Sequence, residues 1–109
     1  MDKLEVQPGS LVSFDVAADG ARHVIVRIAG ELDMSGIDPL AAQVEEALSG
    51  GVDRLTVDVG QVRFADSSAI ALWVRWSSAV SEFELRDPPA LLLRVITAMG
   101  LSDKLGVGA

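Results

Sequence analysis

The feature that most constrains the fold is the alternation of β-prone runs with amphipathic helical segments. Runs rich in β-branched residues occupy 24–28 and 55–59, with a helical pattern at 39–48 between them. This alternation is typical of strands joined by helical crossovers, which predicts a sheet with helices packed on it. A further β-prone run at 11–16, closed by an Asp-Gly turn signal, favours a hairpin with the first of these strands. A weaker run at 83–85 completes the predicted order β-β-α-β-α-β-α.

Capping and breaking residues predict where the helices begin. Asp38 is a good N-cap and is followed by proline, which predicts a first helix over 39–48. Asp66 or Ser67 can cap a second helix, predicted over 67–79. A third helix is predicted after the adjacent prolines Pro88 and Pro89. Its predicted apolar face consists of Leu92, Val95, Ile96 and Met99.

The composition excludes several classes of function. Sixteen acidic residues against nine basic ones give a net charge of −7, which argues against a nucleic-acid partner. The chain has no cysteine and a single histidine, His23, so we expect no metal site and no cofactor. No serine lies in a Gly-x-Ser-x-Gly elbow, and His23 would be the sole candidate base for a Ser-His-Asp site. The sequence therefore predicts that the protein is not an enzyme.

The length of 109 residues fits one domain over 1–109, with 1–10 and 106–109 expected to be flexible ends. The first ten residues lack the apolar run of a signal peptide. No apolar run approaches the roughly 20 residues that a membrane-spanning helix needs. We therefore expect a cytoplasmic protein that does not insert into membranes.

Two motifs together resemble those of STAS domains, and in particular the bacterial anti-sigma factor antagonists. A Gly-Glu-Leu-Asp motif ending at Asp33 follows the second predicted strand, and Asp66-Ser67-Ser68 begins the second helix. The family has glycine after the two serines, where this chain has Ala69. The likeness extends through the third helix to about Leu105. The resemblance implies a single STAS domain of α/β class, with a mixed four-stranded sheet and helices packed mainly on one side.

The resemblance also implies a protein switch. Antagonists of this family bind an anti-sigma factor that is usually also a serine kinase, and so release a sigma factor. The kinase phosphorylates the serine after the aspartate, here Ser67, which ends the binding, and a PP2C-type phosphatase reverses the modification. Tryptophan and arginine are enriched at binding hot spots, which favours a partner face along the second helix with Trp76 at its rim. The predicted partner-binding residues are Asp33, Asp66, Ser67, Ser68, Ala69, Arg75 and Trp76.

Other interpretations of the same residues stay open. Ser67 and Ser68 could serve as helix caps alone, and both tryptophans could shield the edges of the core. The alternative function is a STAS subunit that binds the ATPase of a lipid-transport ABC system, although that class usually has threonine in place of the first serine. A scaffold component of a larger stress-signalling complex is a third hypothesis.

Overall fold

The computed structural model describes residues 12–107 and, before them, the backbone of the two-residue strand Glu5–Val6. The elements in chain order are β1 Glu5–Val6, β2 Val12–Ala18, β3 His23–Leu32, α1 Met34–Leu48, β4 Arg54–Ala65, α2 Ser67–Ser77, β5 Glu82–Arg86 and α3 Ala90–Ala98. The predicted order is confirmed, and β1 is an addition to it. The predicted flexible ends, 1–10 and 106–109, lie outside the described residues except for Glu5–Val6, Gly106 and Val107.

The strands form one mixed sheet in the order β1-β2-β3-β4-β5. The predicted hairpin is the antiparallel pair β2–β3, while β3, β4 and β5 run parallel to one another. Parallel neighbours need crossover connections, which α1 and α2 provide. In consequence β3 and β4 end at the same edge of the sheet, where Leu32 is paired with Ala65 and each strand leads into a helix.

The core lies between one face of this sheet and the helices. Alternate residues of β3, namely Val24, Val26 and Ile28, are buried in it, as expected for a strand that presents one face to the core. Both tryptophans of α2, Trp73 and Trp76, belong to the same core. The predicted fold class, an α/β domain with four main strands and three helices, is confirmed.

The first helix begins at Met34 and not at Pro39, so its predicted start is wrong. Its N-cap is Asp33, whose side chain accepts a hydrogen bond from the backbone N–H of Ser35, and Asp38 lies within the helix. Pro39 is therefore an interior residue that lacks the N–H for a bond to the carbonyl one turn earlier.

The earlier start adds one turn to the buried face of α1. Gly36, Leu40 and Val44 are all buried and recur every fourth residue, which places them on one side of the helix. This additional turn lies against the core directly after β3. The added packing and the Asp33 cap together explain why the helix tolerates a proline in its interior.

β3 and β4 both continue further than predicted. The sequence predicts loops at 29–33 and 62–66, yet β3 runs to Leu32 and β4 to Ala65. Gly60, predicted to mark a turn, lies within β4. The two strands stay paired through two shifts of register, which are local irregularities of the kind seen at β-bulges. The extension brings the ends of both strands to the start of a helix.

The other two helices differ from prediction in smaller ways. α2 ends at Ser77, two residues before the predicted end at 79. In α3 two of the predicted core residues, Leu92 and Ile96, are buried, but Val95 and Met99 are exposed. No helix within the described residues is long and apolar enough to cross a membrane.

The segment after α3 packs against the outer strand β5. Leu105 is buried, and its carbonyl accepts a hydrogen bond of 2.9 Å from the N–H of Leu85. Gly106 has a φ of 61°, and a Cβ there would lie 2.2 Å from the carbonyl oxygen of Phe83, so only glycine fits. The N–H of Val107 donates to a backbone carbonyl at 3.0 Å. These contacts differ from the frayed end expected for Gly106 and Val107.

Candidate partner-binding site

Four of the predicted site residues lie at the edge of the sheet where β3 and β4 end, namely Asp33, Asp66, Ser67 and Ser68. Asp33 follows β3 and Asp66 follows β4, and each is the N-cap of the next helix. The N–H of Asp66 donates to the carbonyl of Leu32 at 3.2 Å. The starts of α1 and α2 therefore lie side by side, which brings Asp33 and Asp66 to the same edge of the sheet.

Both aspartates cap their helices with the same geometry. Oδ1 of Asp66 accepts from the N–H of Ser68 at 3.0 Å, from its hydroxyl at 2.6 Å and from the N–H of Ala69 at 3.3 Å. Oδ1 of Asp33 accepts from the N–H of Ser35 at 3.0 Å and from its hydroxyl at 2.6 Å. These bonds satisfy N–H groups that the first turn of a helix otherwise leaves unpaired.

The carboxylate of Asp66 is held in its charged form. The hydroxyl of Ser68 donates to it and lowers its pKa below the ordinary value, and the N–H groups of Ala69, Ser68 and Met34 act in the same direction. Partial burial raises the pKa but is outweighed. A fixed negative charge therefore lies next to Ser67 in the sequence.

The two serines of the motif differ in what their hydroxyls do. Ser68 is half-buried, and its hydroxyl is committed to Asp66. Ser67 is exposed, and within residues 12–107 its hydroxyl has no hydrogen-bond partner. Ser67 is therefore the residue of the pair whose oxygen is open to a modifying enzyme. Ser67 was predicted from a family resemblance alone, and the structure adds a physical difference between Ser67 and Ser68.

Three other predicted partner-binding residues do not present a side chain at this site. Ala69 is fully buried, so its methyl group packs in the core and is closed to a partner. The prediction that Trp76 lies at an exposed rim is wrong, because its side chain is 1% exposed. Arg75 is exposed, but its guanidinium donates to Glu45 at 2.6 Å. Arg75 also lies about 12 Å along the helix from Ser67 at 1.5 Å per residue.

Burial of Trp76 follows from the neighbour that α2 acquires in the fold. α1 packs beside α2, and the Arg75–Glu45 ion pair joins the two helices on their outer side. The face of α2 that carries Trp76, which the sequence pattern placed at the edge of the apolar stripe, is thereby covered. The periodicity of α2 contains no signal for this neighbour.

The sequence analysis missed one polar cluster, formed by Asp19, His23 and Thr56. Nε2 of His23 lies 2.8 Å from Oγ1 of Thr56, and its Nδ1 lies 3.3 Å from Oδ2 of Asp19. The order of groups resembles a hydrolase triad. Thr56, however, is 0% exposed, so no substrate reaches its oxygen. The cluster therefore joins the β2–β3 turn to β4, and His23 is half-buried.

No group of three or more His, Cys, Asp or Glu side chains in the described part of the chain is placed to hold a metal ion. The acidic residues of the candidate site are instead engaged in helix capping. What the site offers is an exposed hydroxyl beside a fixed carboxylate, on a rigid junction between two helices. Such an arrangement suits recognition by another protein and modification of that hydroxyl.

Three comparisons place this geometry among known proteins. The sequence model of a family described as Mlab, STAS domain, matches residues 15–107. A comparison with curated protein sequences gives no significant match. Among solved structures, the chain is similar to the anti-sigma factor antagonist SpoIIAA in its unphosphorylated form, with a TM-score of 0.75, 22% identity and 83% of each chain covered.

Two further solved structures share the fold. The Bacillus cell fate determinant SpoIIAA in its phosphorylated form has a TM-score of 0.70 and 22% identity, covering 83% of this chain and 86% of that one. An anti-sigma factor antagonist from Mycobacterium paratuberculosis has a TM-score of 0.77 and 18% identity, covering 86% of this chain and 82% of that one. At these identities the likeness shows a common fold.

Proposed function

Because the chain belongs to the STAS domain family, we propose that it is an anti-sigma factor antagonist controlled by phosphorylation of Ser67. In this function it binds an anti-sigma factor with serine kinase activity in the cytoplasm and releases the sigma factor. The observation that carries the proposal is the exposed, unbonded hydroxyl of Ser67 beside the Asp66 cap. The fold shared with SpoIIAA, which is known in both phosphorylated and unphosphorylated forms, supports it.

The physics of the site favours a switch that acts at the interface and leaves the fold intact. A phosphate on Ser67 adds about 1.5 to 2 negative charges. A helix N-terminus favours such a charge by roughly 0.3 to 1 kcal/mol at an exposed position. The N–H groups of Ser68 and Ala69, however, already donate to Asp66, so the phosphate finds them occupied. The charge of Asp66 and the net charge of −7 oppose the phosphate further.

The expected consequence is a loss of affinity for the partner. The unmodified surface presents a small hydroxyl, and a partner shaped to contact it would meet a bulky dianion after phosphorylation. A PP2C-type phosphatase restores the hydroxyl. In this cycle the chain is the substrate of two enzymes and needs no catalytic group or cofactor of its own.

The test uses three baits in an affinity purification from the native cell: wild type, Ser67→Ala and Ser67→Asp. We expect the wild type and Ser67→Ala to recover a kinase-type anti-sigma factor, and Ser67→Asp to recover much less. Equal recovery by Ser67→Ala and Ser67→Asp contradicts the switch. The recovered kinase, incubated with ATP, should then phosphorylate wild type and Ser68→Ala but leave Ser67→Ala unmodified.

The alternative function is tested by the same experiment. The second candidate is an ATPase-binding subunit of a lipid-transport ABC system, because the description of the matching family, Mlab, STAS domain, does not restrict the chain to the sigma pathway. Recovery of an ABC ATPase by all three baits would assign the chain to that class. Ser67 would then be a helix-start residue without a phosphorylation role.

A further inference from the structure

Helix α3 is apolar on two sides, and only one of them is covered. Leu92 and Ile96 face the core at 8% and 0% exposure. Leu91, Val95 and Met99 are 69%, 41% and 53% exposed and recur every fourth residue, which forms a stripe along the outer side. A surface helix normally has one apolar face and one polar face. The outer stripe of α3 is therefore apolar surface that does not contribute to the core of this chain.

This stripe forms one wall of a groove whose other wall is the end of β4. The groove has a volume of about 210 Å³ and is lined by Val62, Phe64, Leu91 and Val95 among others. Phe64 is 53% exposed although it is large and aromatic. Ala65 also lines the groove, and Asp66 and Ser67 follow it directly in the chain. The groove therefore lies beside the start of α2.

The size of the groove indicates what it accommodates. Pockets for small-molecule ligands typically have volumes of about 300–1,000 Å³. At about 210 Å³ this groove is smaller and suits one or two side chains of a protein partner. Its lining is mostly apolar, and a hydrophobic groove is the setting in which an amphipathic helix docks.

Two arginines, here called the basic rim, accompany the groove although the chain is acidic: Arg63 belongs to its lining, and Arg94 lies next to it on α3. Arg63 is 71% exposed, with Glu31 as an ion-pair partner at 3.7 Å. Arg94 lies on the exposed side of α3, one turn from Leu91, and has no ion pair within residues 12–107. α3 itself contains no acidic residue. These two guanidinium groups therefore attract acidic groups, in contrast to the net charge of −7 of the whole chain.

We propose that this docking groove, defined by Val62, Phe64, Leu91 and Val95 with the rim residues Arg63 and Arg94, binds an acidic amphipathic helix of a partner protein. The partner helix inserts two apolar side chains, spaced at i and i+3 or i+4, and places its carboxylates against the two arginines. The inference rests on the proposed function for the identity of the partner, the anti-sigma factor. It adds that affinity comes from the groove, while Ser67 at its border controls access.

A second copy of the chain is a poorer occupant. Two copies joined through a two-fold axis would bring the same patch to itself, and so one Arg94 close to the other. Each copy also carries a net charge of −7. Both features oppose self-association, whereas an acidic helix satisfies the basic rim.

The test uses two fluorescein-labelled model peptides of about 18 residues, which is roughly five helical turns. Both carry leucine at the i, i+4, i+7 and i+11 positions. One has glutamate at every flanking position, and its twin has lysine there. Anisotropy titrations with wild-type protein at low salt should show binding of the acidic peptide that is about tenfold tighter than binding of the basic one.

Two variants locate the binding. Leu91→Asp should weaken binding of the acidic peptide about tenfold or more, because it removes an apolar wall and adds a repelling charge. Ala42→Asp, an equal charge at an exposed position of α1, is the matched control and should leave the affinity unchanged. Arg94→Glu should reverse the preference between the two peptides.

The outcomes separate this inference from the proposed function. Equal affinity for both peptides, or equal loss in Leu91→Asp and Ala42→Asp, overturns the docking groove. A dimer of wild type in sedimentation velocity that Leu91→Asp dissociates also overturns it, in favour of a second copy. The assay contains no kinase or sigma factor, so a failure of the Ser67 switch in the bait experiment leaves the peptide result unaffected.

Discussion

The starts of α1 and α2 are two versions of one local structure with different contents. In each, an aspartate at the end of a parallel strand caps the helix and accepts a 2.6 Å bond from the hydroxyl of the second residue after it, Ser35 or Ser68. The residue between differs: it is Met34 in α1, 74% exposed, and Ser67 in α2. The cap is thus a structural device used twice, and the distinguishing feature of the second copy is the free hydroxyl.

The two caps also differ in how firmly they join the rest of the fold. The Asp66 carboxylate accepts three bonds from α2, and the backbone N–H of Asp66 donates to the carbonyl of Leu32 at the end of β3. The Asp33 carboxylate accepts two bonds, both from Ser35. The Asp66 carboxylate therefore makes one more capping bond than the Asp33 carboxylate. This difference leads to measurable consequences.

The largest effect should come from removing the Asp66 cap. Asp66→Ala loses three bonds within α2, and we expect it to reduce the free energy of unfolding by about 2 kcal/mol, the upper end for an N-cap. Asp33→Ala should reduce it by about 1 kcal/mol. Urea unfolding of both variants measures the difference. Equal losses would show that the third capping bond, from the N–H of Ala69, contributes nothing.

The next effect concerns Ala69, which stands where α1 has Gly36. Ala69→Gly should destabilise by about 1.5 kcal/mol, because glycine is a poorer helix former and a buried methyl group is lost. Ala71→Gly, at an exposed position of the same helix, is the matched control and should lose only the propensity part, about 1 kcal/mol. If both variants lose the same stability in urea, the methyl of Ala69 has no packing role.

A smaller pair of effects separates the two serines. Ser68→Ala removes the hydroxyl bond to Asp66 and should destabilise by about 1 kcal/mol. Ser67→Ala removes a hydroxyl without a partner and should change stability by no more than about 0.5 kcal/mol. Thermal unfolding of the two variants side by side is sufficient. A loss in Ser67→Ala as large as in Ser68→Ala would contradict the free hydroxyl on which the proposed function depends.

The smallest effect at neutral pH should come from Asp66→Asn, since asparagine is about as good an N-cap. The difference appears in acid. The pKa of Asp66 is lower in the folded protein than in the unfolded chain, so its stabilising contribution is complete above the unfolded value of about 4 and is lost as the pH falls through the folded value. The wild type should therefore lose more stability than Asp66→Asn between neutral and acidic pH. The melting temperature of both proteins, measured as a function of pH, tests this. Parallel pH curves would refute this.

Local sequence signals predicted most of the framework. The strand runs, the Asp66 cap and the start of α2 at Ser67 were predicted by rules that need only neighbouring residues. Asp33 and Asp38 both satisfy the same capping rule, and proline favoured the wrong one. The choice is made by tertiary structure, because pairing of Leu32 with Ala65 carries β3 to the residue before Asp33.

Sequence periodicity did not predict the burial of residues at the border of an apolar helix stripe. Trp76 is covered by a second helix, and Val95 is left uncovered although its periodicity suits a core face. In both cases an apolar residue lies at the border of the apolar stripe of a helix. The position of the adjacent element determines whether that residue is buried. Sequence periodicity identifies the stripe but does not locate that neighbour.

The burial of both tryptophans gives the molecule an optical property. Trp73 and Trp76 are the only tryptophans, and the chain contains no tyrosine, so near-ultraviolet absorbance and emission arise almost entirely from α2. Within the described residues neither indole N–H has a hydrogen-bond partner, and both rings are at most 1% exposed. Their emission should lie at short wavelength and shift to the red when α2 loosens. The helix that begins at Ser67 thus contains its own label-free fluorescent reporter.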